Sequence, residues 1–330
     1  MKKIKFSSQS ILFILFILYI LYVGIINPKS FFTLNTLYDI LKSSSVYGIL
    51  ALGFLPIIIA GGIDMSFSAV ASFSTYVTTV LLFKLDLYSS NILIIYLIAI
   101  VIGCSIGFAN GYLVASLKVP IIVVTLGTSA MISGLLLFIF GSTVIFNIPP
   151  SMLYFSKMAF GTVTTYDGIS NSFHPSILIW GFLSILMYIF LKYTTFGRNI
   201  YAMGGDINVY ERSGESRKKM EIIIFIISGG LSSIAGITYA SLYRVVNPSM
   251  FMGGELDVIA MVILGGASIN GGKGTIIGTI IGILFINLLK NSLILINIPS
   301  IYQTLSVGIA LFFGVIIPII YDKYFYKIVK

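Results

Sequence analysis

Long apolar runs recur along almost the whole chain, and they limit its fold more than any other feature. A helix needs about 20 apolar residues to cross the hydrocarbon core of a bilayer. Ten such runs are found, at 10–26, 41–60, 64–83, 91–116, 121–140, 176–193, 220–243, 255–268, 275–296 and 301–321. The run at 255–268 is short enough for a partial crossing. We therefore predict an all-α integral membrane protein with about eight to ten transmembrane helices.

The composition excludes a soluble enzyme. Only 9% of the residues are charged and 58% are hydrophobic, whereas soluble domains carry about 25% charged residues. The single cysteine, Cys104, excludes an intramolecular disulfide, and the single histidine, His174, lies in a polar segment. With no cluster of histidines, cysteines or acids, we expect no catalytic residue and no metal site.

The basic residues predict how the chain is oriented. With ten spans and a cytoplasmic N-terminus, fourteen Lys and Arg residues fall on the cytoplasmic side and six on the other, as the positive-inside rule requires. Both termini are then cytoplasmic. The net charge of +9 is explained by this orientation in a lipid membrane, so we expect no nucleic-acid partner.

Two polar segments are long enough to be more than turns. Residues 141–175 are turn-rich and are predicted to form an external loop, and residues 194–219 carry the densest charge and are predicted to form a cytoplasmic loop. No linker or second soluble region is visible. We therefore treat 1–330 as a single membrane domain.

The stretch GGASINGGKGT, residues 265–275, imitates a nucleotide-binding loop. A phosphate loop requires G-x-x-x-x-G-K-[ST] after a β-strand. Here Ala267 occupies the first glycine position, Gly274 follows Lys273, and an apolar helix precedes the stretch. We predict that it forms a tight reversal between two helices, which glycine permits, and that this chain binds no nucleotide cofactor.

A second glycine pair breaks the apolar pattern earlier in the chain. Gly61 and Gly62 are expected to end one helix, and Asp64 or Ser66 to cap the next by accepting its free N–H groups. An aspartate near membrane depth also suggests a direct role in transport, and both readings stay open. Glycines at four-residue spacing, Gly103 to Gly111, predict close helix packing.

Six motifs occur in an order typical of one protein family. They are GGIDMSFSAVASF, VPIIVVTLGTSAMISGL, TTFGRNIYAMGGD, ERSG, GGELDVIAMVILGGASINGGKGTIIGTIIG and NIPSIYQTLSVGIALFF. Together they cover roughly residues 45–320 and resemble the permease subunits of ATP-binding-cassette (ABC) importers for ribose, xylose, galactose and related monosaccharides. The motifs are specific for the family and weak for the substrate.

The resemblance implies an ABC importer permease fold in a bacterial inner membrane, with alternating access for a monosaccharide. It implies three partners: a cytoplasmic ATPase that binds the ATP, an extracytoplasmic sugar-binding protein and a second permease copy, most simply in a homodimer. The residues implied in coupling to the ATPase are Gly204, Gly205, Asp206, Tyr210, Glu211, Arg212, Ser213 and Gly214. The helix breaks and the matching motif residues form a candidate translocation path: Gly61, Gly62, Asp64, Ser66, Thr125, Gly127, Gly265 and Gly266.

The chain departs from the family pattern at three of these motif positions. Tyr210 and Glu211 stand where relatives usually have alanines, which suggests a dedicated ATPase, and Ser68 stands where glycine is common.

Other functions remain as alternatives. An ion-coupled secondary transporter would use intramembrane charges such as Asp64, Glu255, Asp257 or Lys290. An ABC permease for nucleosides or autoinducer furanones would share the same motifs. A membrane-embedded transferase would need a cluster of catalytic groups, and none is visible.

Overall fold

The computed structural model of the chain describes residues 8–26, 28–164, 170–295, 298–299 and 301–325. The expected cytoplasmic position of the two chain ends lies outside this part. The described chain is mainly helical. In order, its elements are α1 (Ser8–Ile26), α2 (Pro28–Phe31), α3 (Leu34–Ile59), α4 (Phe67–Lys84), α5 (Ile92–Leu117), α6 (Ile121–Phe140), α7 (Pro150–Lys157), β1 (Phe160–Thr164), β2 (Ser170–Phe173), α8 (Pro175–Tyr193), α9 (Thr195–Gly205), α10 (Ile207–Arg212), α11 (Arg217–Tyr243), α12 (Glu255–Leu264), α13 (Ile276–Leu295) and α14 (Ile301–Phe325).

Seven of the described helices are long and apolar enough to cross a membrane. They are α3, α4, α5, α6, α8, α11 and α13. Shorter apolar stretches lie in α1, at Phe16–Ile26, and in α14, at Ile301–Phe312. The all-helical membrane class is confirmed, and the count of about ten is approximate.

The predicted span at 255–268 is helical over only part of its length. Helix α12 has 10 residues, which at 1.5 Å per residue cover about 15 Å, half of a hydrocarbon core of about 30 Å. It ends because Gly265 closes the helix and Gly266 adopts a positive φ of 89°. The helix therefore stops at this point, and a turn leads from it to α13.

The bundle has a buried centre and an apolar outside. Helices α3 and α11 are mostly buried, whereas α5, α6 and α8 keep most of their surface exposed. The exposed side chains on these outer helices are large and apolar, as at Leu97, Phe138 and Ile185. Such a surface is costly in water, and it suits contact with lipid.

Helices α5 and α11 form the most extensive helix pair. A Cβ added at Gly103 would meet the carbonyl oxygen of Gly229, and one at Gly107 would meet the carbonyl oxygen of Phe225. The small-residue spacing therefore serves close packing within this chain, as predicted. Backbones that approach this closely gain dispersion energy where lipid offers no hydrophobic drive.

The two polar segments contain more structure than the sequence indicates. Residues 141–175 include helix α7 and an antiparallel hairpin in which Val163 of β1 pairs with Asn171 of β2. Five residues of that predicted loop, 165–169, lie outside the described part. Residues 194–219 form α9 and α10. The two short strands are an exception to the all-α prediction.

Candidate functional site: a coupling segment resting on a glycine junction

Residues 204–214, named here the coupling segment, contain a short capped helix. Helix α9 runs through Gly204 and Gly205, and Asp206 then ends it and begins α10. One carboxylate oxygen of Asp206 accepts the backbone N–H groups of Asn208 at 2.9 Å and Val209 at 3.1 Å. This satisfies two of the N–H groups that a helix start leaves free. The predicted capping by Asp206 is therefore present.

Helix α10 has one buried face and one exposed face. The side chain of Tyr210 is only 3% exposed, whereas Val209 is 60% exposed. Glu211, Arg212, Ser213 and Gly214 are also exposed. An apolar side chain ringed by polar groups on a protruding helix is a typical contact surface for a partner protein.

Tyr210 does not belong to that contact surface. It packs in the main hydrophobic core of this chain, and burial, with a smaller contribution from the charge of Glu215, raises the pKa of its hydroxyl. The interpretation of Tyr210 as a sign of a dedicated ATPase stays a prediction, and the burial of its side chain argues against a direct contact with that partner. Its large ring is explained by anchoring α10 to the bundle, while Glu211 remains available to a partner.

Two glycine-rich turns meet the coupling segment at its first residue, Gly204. This glycine junction consists of Gly61 after α3, Gly204 in α9, and Gly271 with Gly272 between α12 and α13. The Gly272 N–H donates to the carbonyl oxygen of Ile59 at 2.8 Å. A Cβ on Gly271 would lie 2.7 Å from the Gly204 oxygen and 2.8 Å from the Gly61 Cα. The backbones therefore touch with no room for side chains.

Backbone conformation and contact space both require glycine at the junction. Gly61, Gly271 and Gly272 have φ values of 91°, 83° and 71°, which residues with a Cβ rarely adopt. A Cβ on Gly204 would meet the Ile59 carbonyl oxygen, whereas one on the neighbouring Gly205 would meet nothing within 4 Å. The two adjacent glycines therefore have different roles.

The stretch GGASINGGKGT is thus a reversal that touches the coupling segment. The Ser268 N–H donates to the Lys273 carbonyl oxygen at 2.9 Å, which closes the turn. The Tyr201 hydroxyl of α9 donates to the Gly274 carbonyl oxygen at 2.7 Å. The prediction of a glycine-permitted turn is confirmed, and its contact with α9 is an addition that the sequence does not indicate.

A second candidate group, the Asp64 cluster, lies between the ends of α3 and α4. Asp64 is 1% exposed, and its Oδ1 accepts the Ser66 backbone N–H at 2.7 Å and the Ser66 hydroxyl at 2.6 Å. The Ser228 hydroxyl of α11 approaches Oδ2 at 3.5 Å. The Asn110 amide of α5 donates to the Ser66 hydroxyl at 2.8 Å. A buried carboxyl is thereby linked to two helices, α5 and α11.

Thr125 extends the same cluster to α6. Its hydroxyl oxygen lies 3.1 Å from the Met65 N–H, which donates to it, and 3.3 Å from the carbonyl oxygen of Ile63. The link between α3 and α4 is therefore held by side chains from α5, α6 and α11. Such dense tethering of irregular backbone is needed where water is excluded.

The structure corrects two details of the predicted path. Ser66 is the residue before α4, yet its side chain makes no capping hydrogen bond, and Asp64 binds the Ser66 N–H rather than the first N–H groups inside the helix. Gly127 lies inside the unbroken α6 and faces open space. It therefore forms no helix break, unlike Gly61 and Gly265.

Several residues of these groups have no signal in the sequence. Ile59 contributes only its carbonyl oxygen, and Asn110, Tyr201 and Ser228 lie in otherwise ordinary helical patterns. A polar residue such as Asn110 inside a long apolar run is the one hint available, since intramembrane polar residues are costly.

The arrangement suits mechanical linkage rather than bond-breaking chemistry. The groups that meet are backbone amides, hydroxyls and one carboxyl, held by hydrogen bonds among themselves. A lipid-facing helical bundle with interrupted helices and a protruding capped helix is typical of a transport permease.

This chain belongs to the family described as the permease component of branched-chain amino acid transport systems, whose pattern matches residues 36–317. It is 32% identical over 299 residues to the ribose import permease protein RbsC of Escherichia coli strain K12, covering 89% of this chain and 88% of that protein. The same-named protein of Haemophilus influenzae is 30% identical over 312 residues, with coverages of 94% and 93%.

A third relative has a different named solute. The autoinducer 2 import system permease protein LsrC of Salmonella typhimurium strain LT2 is 30% identical over 283 residues, covering 86% of this chain and 78% of that protein. No solved structure matches this chain. The family identity makes the chain a multi-pass membrane protein with a transport role.

Proposed function

We propose that this chain is the permease subunit of an ATP-driven ABC importer that carries a ribose-type monosaccharide across a bacterial inner membrane. The observation that carries the proposal is the exposed, capped helix α10 on the glycine junction, in a chain that belongs to a permease family. The names of two relatives, both ribose import permeases, support the choice of solute class.

In this proposal a cytoplasmic ATPase docks on the coupling segment. Val209 supplies an apolar contact, and Glu211 and Arg212 supply charges around it. The ATPase binds and hydrolyses the ATP, so this chain needs no nucleotide cofactor. Two permease copies, a homodimer in the simplest case, present two coupling segments to two ATPase subunits, and an extracytoplasmic binding protein delivers the solute at the opposite end.

The glycine junction gives the docked ATPase access to the membrane helices. Because Gly204 touches both the end of α3 and the turn between α12 and α13, a displacement of α9 and α10 displaces both breaks together. Helix α12 covers only half the membrane, so a small shift at Gly266 moves a segment deep in the bundle. We propose that this shift alternates the outward and inward openings.

Charge placement supports a cytoplasmic position for the coupling segment. Lys118, Lys192, Arg198 and Lys273 lie at the helix ends and turns on the same side as α9 and α10. Short loops rich in lysine and arginine stay in the cytoplasm. Both chain termini then lie in the cytoplasm as well.

Reconstitution tests the proposal. Proteoliposomes containing the permease, its ATPase and its binding protein should accumulate radiolabelled ribose only when ATP is supplied on the ATPase side. Uptake by the permease alone, driven by an ion gradient and unaffected by ATP, would show that the proposal is wrong and favour a secondary transporter.

Docking has its own test. Val209→Glu should weaken co-purification of the ATPase, because a charge replaces the exposed apolar contact. The matched control is Phe146→Glu, which changes another exposed apolar residue, 76% exposed, outside the coupling segment. Equal ATPase recovery with both variants would rule out the docking assignment.

An autoinducer furanone is the second candidate solute, favoured by the similarity to the autoinducer 2 permease. Competition decides between the two. Excess unlabelled ribose should suppress labelled ribose uptake more strongly than the furanone does, and the opposite order would assign the transporter to the furanone.

A further inference from the structure

A hydroxyl-lined cavity lies between α4, α6 and the turn before α12. Its volume is about 290 Å³, just below the range of about 300–1,000 Å³ that is usual for small-molecule sites. Five serines and one carboxylate supply its polar lining: Ser68, Ser72, Ser129, Ser133, Ser249 and Glu255. None of these six residues belongs to the glycine junction or to the Asp64 cluster.

One polar group of the cavity, the Ser68 hydroxyl, lacks a partner in the described part of the chain. Ser68 is only 2% exposed. Its hydroxyl oxygen has no hydrogen-bond partner among the described residues. A buried hydroxyl without a partner costs free energy that a ligand hydroxyl would recover. Ser68 therefore indicates an occupant that can form a hydrogen bond.

Glu255 adds an acceptor of a different kind. It is the first residue of α12 and forms no ion pair in the described part of the chain, whereas Asp257 in the same turn is paired with Lys290 at 2.5 Å. An ionised carboxylate accepts hydrogen bonds through two oxygens, and a serine hydroxyl can both donate and accept. Together they match a ligand that carries several adjacent hydroxyl groups.

The rest of the lining limits the ligand class and its affinity. The other lining residues are apolar or small, namely Ala69, Leu126, Ala130, Leu137, Pro248, Met252 and Gly253. With no basic side chain among the described lining residues, the cavity offers nothing to a phosphate or carboxylate. The described lining also contains no aromatic ring on which a sugar could stack. We therefore expect weak binding and rapid release of the sugar.

We infer that this cavity is a transient binding site for a neutral polyhydroxylated solute on its way through the permease. The inference rests on the proposed import function and adds the residues that contact the solute. Ser72 and Ser129 face the solute from two helices, and Glu255 accepts hydroxyl hydrogen bonds from the third side. A lipid or a side chain from a second copy would be a competing occupant.

Cysteine protection tests occupancy directly. In a Cys104→Ala background, Ser129→Cys should react with a small methanethiosulfonate reagent, and ribose should slow the reaction in the complex with ATPase and binding protein. A sugar that the complex does not import should leave the rate unchanged. A rate that is indifferent to every sugar, as a lipid or a second copy would give, overturns the inference.

Transport kinetics provide the second test. Ser72→Ala and Glu255→Gln should each raise the half-saturating solute concentration for uptake several-fold. Ser232→Ala is the matched control, because Ser232 is a buried α11 serine that does not line the cavity. Uptake by both cavity variants that matches the control would also overturn the inference.

Sugar uptake by the Cys104→Ala parent complex distinguishes a failure of the proposed import function from a failure of the cavity assignment. If that complex imports no sugar with ATP, the import function itself fails. If it imports sugar, and the cavity variants behave as the control does, the import function stands and the cavity assignment is wrong.

Discussion

His174 shows how one buried residue fixes the start of a membrane helix. It is 2% exposed and precedes Pro175, the first residue of α8. Its Nδ1 accepts the Ser176 N–H at 3.0 Å, and its Nε2 lies 3.0 Å from the Phe155 carbonyl oxygen. The ring is therefore neutral, with its proton on Nε2. It acts as a helix cap and links α7 to α8.

The same residue predicts a pH dependence of stability. Burial lowers the pKa of His174 from 6.5 to about 4, and the charge of Lys42 acts in the same direction. Because the unfolded chain binds the proton first, this contribution is complete above pH 6.5 and is lost as the pH falls from 6.5 to about 4. Thermal unfolding in detergent should therefore occur at lower temperature across this window.

His174→Asn is the control for that dependence. An asparagine can cap α8 but does not titrate, so the difference in unfolding temperature between the two proteins should shrink as the pH falls. Parallel curves over the whole window would show that His174 makes no contribution.

Substitutions at Asp64 distinguish a structural role of its carboxyl group from a role in carrying an ion. Asp64→Asn keeps an oxygen for the Ser66 N–H, and the Ser228 hydroxyl can turn to accept from the new amide. We expect ATP-driven uptake to persist. Asp64→Ala leaves the buried Ser66 N–H unsatisfied, which costs about 1–3 kcal/mol, and its thermal stability should fall. A folded Asp64→Asn protein without uptake would favour direct ion chemistry.

At the scale of elements, the glycine junction is where α3, α9 and the turn between α12 and α13 act as one unit. These elements are far apart in sequence and meet mainly through backbone atoms, with one side-chain hydrogen bond from Tyr201. Packed backbone is a stiff connection, because close-packed interiors transmit displacement rather than absorb it. We expect motion of the coupling segment to reach both helix breaks.

Two neighbouring alanine substitutions test this connection. Gly204→Ala forces a Cβ against the Ile59 carbonyl oxygen, whereas Gly205→Ala places one in open space. Overpacking typically costs about 1–3 kcal/mol. We therefore expect Gly204→Ala to lower stability and uptake while ATPase co-purification persists, and Gly205→Ala to match the parent. Equal uptake by both variants would show that the junction does not transmit motion.

The sequence predicts some of these elements well and others poorly, for physical reasons. Gly61 and Gly265 mark helix ends as predicted, because glycine adopts non-helical backbone conformations easily and weakens a helix interior. The hairpin of β1 and β2 is missed, because FGTVT and SNSF are short and carry no clear alternation of apolar residues. The length of α12 is overestimated, since an apolar run does not show where its helix stops.

The sequence predicts individual residues of the candidate site but not the long-range contacts that bring them together. The coupling segment follows from its motif, and the cap at Asp206 follows from its residue type. That Gly272 meets Ile59, and that Tyr210 turns inward, depends on long-range packing that one sequence does not encode locally. Conversely, Gly127 looks like a break in the motif and lies in a continuous helix.

At the scale of the whole molecule, the exposed apolar surface and the position of the polar groups fit one orientation in the membrane. The coupling segment lies at one end of the bundle, and α7 with the hairpin follows the opposite end of α6. Seven long apolar helices of the described chain separate the two ends. This geometry predicts which residues a membrane-impermeant reagent can reach.

Labelling of introduced cysteines checks the orientation. In the Cys104→Ala background, Phe146→Cys should react with a membrane-impermeant maleimide in intact cells. Asn208→Cys, on exposed α10, should react only after the membrane is opened. The reverse pattern would contradict the proposed cytoplasmic docking of the ATPase.

The junction also sets an order of events during synthesis. Its backbone contacts join residues near 59, 204 and 272. The junction is therefore complete only after residues of the last third of the chain have left the ribosome and entered the membrane. Until then α9 packs against the end of α3 at Ile59 but lacks its contact with Gly272. A permease cut short before residue 272 therefore offers its ATPase a docking helix that lacks one of its two backbone supports.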